Sequence, residues 1–196
     1  MGKAVETTNF IIEKVAPIFN KMGYAGTSLS DITKATGLTK GAIYGNFRDK
    51  EALALAAFNY NLRRVMGRIE QQMNKHSSPV EKLGAILKFY AQYFEYVKDF
   101  GGCPVVNIGV DANYSNPALL ERVQRVVAKL QRNIAMIVEA GVAAGEIKVG
   151  VNPELIGRRF FLTLEGAIFL SMTMNDPIYL ADAVEQLEEM IGHYLV

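Results

Sequence analysis

The stretch LTKGAIYGNFRDKEAL, Leu38–Leu53, decides the fold of this chain. Gly41 and Gly45 stand four residues apart in a segment whose spacing is otherwise helical. A glycine in a helix interior costs about 1 kcal/mol relative to alanine. Two on one face, beside Lys40 and Tyr44, imply that something approaches that face more closely than side chains would allow. Thr39 is placed to cap a helix over Lys40–Phe47, and Asp49 to cap a long one over Lys50–Asn74. Just upstream, Ser28 and Asp31 have capping-box spacing for a short helix, Leu29–Thr36, which Gly37 ends. Leu29, Ile32, Leu38, Ile43 and Phe47 can form one small core with a first helix over Thr7–Met22. That helix offers Phe10, Ile11, Val15, Ile18 and Phe19 on one face, and Pro17 should kink it.

Helical periodicity continues through the rest of the chain. Strand alternation and Asn-Gly or Asp-Gly hairpin turns are nearly absent. Pro79 opens an aromatic helix, VEKLGAILKFYAQYFEYVKDF, and GGCP breaks it. Pro104 opens a short helix to Ala112, Pro117 a long one to Ala144, and Pro153 another to Met174. A last helix covers Ile178–Leu195. The reading is all-α with nine helices. A helix-turn-helix domain spans 1–50 and a larger helical domain 51–196, with the Lys50–Asn74 helix as a rigid link.

Composition narrows the class. The chain has 196 residues, half of them apolar, and a net charge of +1. Residues 1–50 carry seven Lys/Arg against four Asp/Glu, and the remainder 14 against 16, so the excess of base lies in the N-terminal part. A single cysteine, Cys103, rules out an intrachain disulfide and suits a reducing, cytoplasmic setting. The stretch MGKAVETTNF has no apolar secretory core and no apolar run approaches bilayer length, so neither a leader nor a membrane span is expected. The two histidines, His76 and His193, belong to no metal-type cluster, and no HExxH, paired-cysteine or phosphate-loop motif occurs. The expectation is therefore a protein without catalytic residues, metal, cofactor or membrane partner.

Local chemistry around residues 27–50 favours DNA as what approaches the glycines. Thr39, Lys40 and Tyr44 are donors for bases or phosphates. The helix starts at Ser28 and Lys50 offer backbone N–H groups to phosphates. At this point the sequence resembles a known family. GYAGTSLSDITKATGLTKGAIYGNFRDKEAL is similar to the DNA-binding region of tetracycline-repressor (TetR) family regulators. The resemblance implies a homodimer on a near-palindromic double-stranded DNA operator, with an inducer bound in the C-terminal domain. By position, it implies that Thr39, Lys40, Gly41 and Ala42 face the major groove, and that Thr27, Ser28, Tyr44 and Lys50 hold phosphates. Asn46 stands where the family usually has histidine and can still donate to phosphate. Thr33 and Thr36 replace small alanines usual in the second helix, so looser packing is expected there.

In the larger domain, polar and apolar side chains at one level suggest a pocket. Asn61, Tyr90, Tyr93, Asn107, Asp111, Thr163 and Glu165 could converge with Phe94, Phe161 and Met136 around an apolar or amphipathic small molecule. Cys103, at a helix start in GGCP, reads as an electrophile sensor or as a small buried turn residue. Phe160, Thr163, Ala167 and Leu170 form one stripe, and Val184, Leu187 and Ile191 another, for a four-helix dimer interface. The function expected is a ligand-responsive repressor released by its inducer. The alternative is an all-helical interaction module, in which the Gly41/Gly45 face packs against protein instead of DNA.

Overall fold

The computed structural model describes residues 3–196, with the side chains of residues 3, 4 and 194 outside the description. Among the described residues the regular structure is helical throughout. Ten α-helices run in order: α1 Lys3–Gly26, α2 Leu29–Thr36, α3 Lys40–Tyr44, α4 Lys50–Met73, α5 Pro79–Tyr90, α6 Tyr93–Val97, α7 Pro104–Ser115, α8 Pro117–Ala143, α9 Pro153–Met174 and α10 Ile178–Met190. A 3₁₀ turn, Lys98–Phe100, follows α6, and a π-helical turn, Ile191–Leu195, extends α10. The tenth helix arises because the aromatic segment does not run through. It breaks at Gln92, whose φ of −107° and ψ of 2° leave the helical region. Tyr93, only 1% exposed, packs between Tyr90 and Tyr96, with ring centroids 5.2 and 6.0 Å away.

The chain packs as two compact units that interleave in sequence. One joins α1 through Arg64 with Phe100–Gln124, and the other joins Val65–Asp99 with Arg125–Val196. Sequence patterning marks the boundary at residue 50, but packing carries α7 and the start of α8 back to the helix-turn-helix.

The first unit has its core where α1, α2, α3 and the first half of α4 meet. Ile11, Val15, Phe19, Ile32, Ile43, Leu53 and Phe58 are essentially buried there. Phe10, expected in this core, is 39% exposed, and Lys14 lies over its ring. Pro17 sits inside α1 without disturbing its dihedrals. The departure comes at Gly23, with φ +72°. Only glycine suits that position, since a Cβ there would also lie 2.8 Å from the Asp111 carboxyl carbon. Asp111 reaches from α7 to the backbone just past this break. Its Oδ2 accepts from the N–H groups of Tyr24 at 2.6 Å and Ala25 at 3.2 Å. Two asparagines complete the seam between α1 and the start of α7. Asn20 Nδ2 donates to the Phe100 and Gly102 carbonyls, while Asn107 Nδ2 donates to those of Asn20 and Gly101. Each amide satisfies backbone carbonyls that helix ends and turns leave open.

The second unit is built from α5, α6, most of α8, α9 and α10. Phe160, Leu164, Ile168, Leu180, Val184 and Leu187 are buried within it. Gly157 lets α9 close onto α8. A Cβ there would lie inside the van der Waals radius of the Gln131 carbonyl oxygen. Glu146 secures the start of α5, accepting from Ser78 Oγ at 2.5 Å and from the Val80 N–H at 3.2 Å. The connector after α8 is tied to the C-terminal turn, where the Lys148 N–H donates to the Leu195 carbonyl at 2.7 Å.

Candidate nucleic-acid interface and ligand cavity

The helix-turn-helix is assembled from capped short helices. Ser28 and Asp31 make a complete reciprocal capping box on α2, with the Ser28 N–H donating to Asp31 Oδ2 at 2.8 Å. These bonds hold the Asp31 carboxyl below the usual carboxylate range, helped by the positive charge of Lys34 and Lys50. The Thr39 side chain accepts from the Ala42 N–H at 3.2 Å and starts α3. α3 is shorter than its sequence pattern, since only Lys40–Tyr44 is α-helical and Gly45 is its C-cap. Asp49 begins α4 by accepting from the Ala52 N–H at 2.8 Å. That bond and the Arg48 guanidinium lower its pKa.

The expected DNA-facing residues divide by what occupies them. Thr39, Lys40 and Gly41 are exposed on one short surface, with Ala42 and Tyr44 half-buried beside them. Apart from its chain neighbours and its own helix backbone, a Cβ at Gly41 would meet nothing closer than Thr39 Oγ1 at 4.0 Å. Thr27 is fully buried, and its hydroxyl donates to the Gly23 carbonyl at 2.7 Å, so its side chain serves the fold. The Asn46 side chain is a brace: its Oδ1 accepts from Thr8 Oγ1 and its Nδ2 donates to the Ala42 carbonyl, both at 2.9 Å. An amide has two N–H donors, so one stays available. Lys50 stands with its ammonium 4.5 Å from the centre of the Tyr24 ring. Partial burial lowers its pKa, and the carboxylates of Asp111 and Asp31 oppose the shift. Thr36 shows why a polar residue is tolerated in α2: it is buried, and its hydroxyl donates to the Ile32 carbonyl at 2.8 Å.

The second unit contains an apolar cavity of about 90 Å³. Four helices line it: Met66, Glu70 and Met73 from α4, Tyr90 from α5, Ile134 and Ile137 from α8, and Phe160, Phe161 and Glu165 from α9, among others. Three residues of the expected pocket are among these, namely Tyr90, Phe161 and Glu165. Asn61 is occupied elsewhere, its Nδ2 donating to the Ala16 carbonyl at 2.8 Å. Asn107 and Asp111 belong to the α1–α7 seam, and Cys103 is the buried N-cap position of α7. Tyr93 and Phe94 are buried in packing, and Met136 is 54% exposed. Equal helical level was a poor guide because residues of similar spacing fall on seams belonging to different units. Most of the lining was missed, including the polar Glu70 and the apolar Met66, Met73, Ile134 and Ile137. The apolar character of the latter is shared with the whole core, and only packing distinguishes them.

Of the two stripes read in sequence, Phe160, Val184 and Ile191 are buried within the unit, while Ala167 and Leu187, also little exposed, border shallow surface grooves of α9 and α10. Leu162, Phe169 and Leu170 are exposed on α9, and Thr163 is half-buried. Shallow grooves along this face are lined by Thr163, Gly166, Leu170, Asp182 and Gln186.

Capped short helices that present Lys40 and Gly41, and a helical unit with an apolar cavity open at one edge, are the architecture of a ligand-responsive DNA-binding regulator. Two family models match. "Bacterial regulatory proteins, tetR family" covers residues 11–57, and "Tetracyclin repressor-like, C-terminal domain" covers 79–187. The chain belongs to the tetracycline-repressor family of transcriptional regulators. A TetR transcriptional regulator from Chloroflexus aurantiacus J-10-FL shares 36% identity and superposes with a TM-score of 0.93, over 100% of this chain and 98% of that one. A TetR-family transcriptional regulator from Cytophaga hutchinsonii shares 33% identity with a TM-score of 0.92, over 100% and 98%. An uncharacterised HTH-type transcriptional regulator, YxaF, of Bacillus subtilis (strain 168) is 28% identical over 92% of this chain and 93% of its own length.

Proposed function

We propose that the protein is an inducible repressor that occludes a near-palindromic operator as a homodimer. In this reading, residues 1–50 read DNA while residues 51–196 bind ligand and dimerise, a division of roles that crosses the packing units. The carrying observation is the open surface at Gly41. No protein atom fills the space of its missing side chain, so its backbone is free to approach a groove wall. Thr39, Lys40 and Ala42 sit beside it as the base-reading set, with Ser28, Tyr44, Asn46 and Lys50 towards the phosphates. The exposed apolar side chains of α9 support pairing with a second copy. A small molecule in the cavity would press on Met66 and Met73 of α4, the helix whose first turn carries Lys50. Inducer would then shift the population towards dimers whose α3 helices no longer match the half-site spacing.

The test is fluorescence anisotropy with the DNA flanking the protein's own gene, at two salt concentrations. Tight, salt-sensitive binding that unrelated DNA cannot compete away is expected. Binding no tighter than to unrelated DNA, across all flanking fragments, would end the reading.

A further inference from the structure

The cavity of the second unit has a charge signature. Glu70 on α4 and Glu165 on α9 both line it, and none of the described lining residues is Lys, Arg or His. Glu165 carries its Oε2 to a fully buried position. The aromatic rings of Tyr90, Phe160 and Phe161 and the thioether of Met66 line the same cavity. We propose that this cavity selects a cationic amphiphile, meaning a protonated amine or quaternary ammonium carried on an aromatic or aliphatic body. The proposal rests on the reading of this cavity as the inducer site and adds the ligand's chemical class.

The physical argument has three parts. A carboxylate in an apolar, weakly solvated wall gains far more from a cation than it would in water, and it repels an anion by the same factor. Ring faces attract a cation directly, and more so when it is desolvated. An ionised carboxylate has about four acceptor positions. Glu165 can therefore take a ligand N–H alongside protein partners. The apolar remainder of the wall would hold the ligand body, and since about 90 Å³ is less than a ring needs, the flexible methionines of the wall move to admit it. Fatty acids and other anionic amphiphiles fit the apolar wall but meet two carboxylates and no base.

An isosteric series on the full-length protein tests this: benzylamine, which is protonated at neutral pH, benzyl alcohol and benzoate. Dissociation constants are read by ligand-observed NMR titration. Benzylammonium should bind about tenfold more tightly than the alcohol, with benzoate weakest. Glu165→Gln should remove the preference for the cation and leave binding of the alcohol in place. If that variant loses its helical circular dichroism, Glu70→Gln at the exposed edge of the cavity replaces it and should reduce the preference. Equal affinities, preference for benzoate, binding of none of the three at millimolar concentration, or a preference that survives in folded variants would overturn the proposal. The operator assay separates it from the parent reading. Cation binding in the cavity without release of DNA would remove the inducer role and keep the ligand class. Specific DNA binding released by a neutral or anionic compound in this cavity would do the reverse.

Discussion

At the scale of single residues, Gly41 separates stability from function. Its missing side chain faces open space, so Gly41→Ala should leave unfolding free energy unchanged or raise it by up to about 1 kcal/mol, while operator affinity falls about tenfold or more. A urea melt and an anisotropy titration on one preparation would check both directions. If the variant is less stable and binds DNA normally, the glycine serves packing. Lys40→Ala should weaken binding across sequences and reduce the salt slope by about 1. Asp31 carries a pH prediction. Its pKa is depressed in the folded state by the Ser28 hydroxyl and N–H, so its contribution is present above the unfolded value of about 3.9 and is lost as pH falls through the folded value. Asp31→Asn should therefore flatten the acid limb of stability below about pH 4. An unchanged limb in acid titrations would mean that the capping box is not holding the proton off.

At the scale of elements, helix seams dominate. Gly157→Ala would drive a methyl into the Gln131 backbone carbonyl, which cannot swing aside as a side chain could, so a loss near about 3 kcal/mol is expected in denaturant unfolding. Asp111→Ala would leave the N–H groups of Tyr24 and Ala25 without their acceptor, at a cost of about 1–3 kcal/mol. Faster amide exchange at the end of α1 would report it. Much at this scale was legible in sequence, and the reasons are local. Ser28, Asp31, Thr39 and Asp49 act through bonds reaching only three residues, so spacing alone announces α2, α3 and α4. The break at Gln92 carries no glycine or proline, so spacing runs the helix straight through it; Gly23, by contrast, stands just past the Met22 end read for the first helix, and only its fit against Asp111, 88 positions later, needs the packing. The pocket suffered for the same reason. Asn61, Asn107 and Asp111 look like ligand contacts until their partners, the backbone groups of Ala16, Asn20 and Tyr24, are known.

At the scale of the whole molecule, the open surface of α9 and α10, with Thr163, Ala167 and Leu170 along a groove and Leu162 and Phe169 exposed on α9, is where association is expected. Light scattering at micromolar concentration should give a dimer, and Phe169→Glu should give a monomer of unchanged helicity with much weaker operator binding. A variant that remains dimeric would place the interface elsewhere. The interleaving of the two units bears on how such proteins can be recombined. A gene fusion that exchanges only residues 3–50 for another regulator's reading head would leave Asn107 and Asp111 behind, facing backbone they were not shaped against. A workable chimaera has to carry two inserts, the N-terminal segment through Arg64 and the separate passage Phe100–Gln124. If Thr39–Tyr44 reads the bases as proposed, new DNA specificity on this scaffold is more readily acquired by substitutions there than by swapping the head.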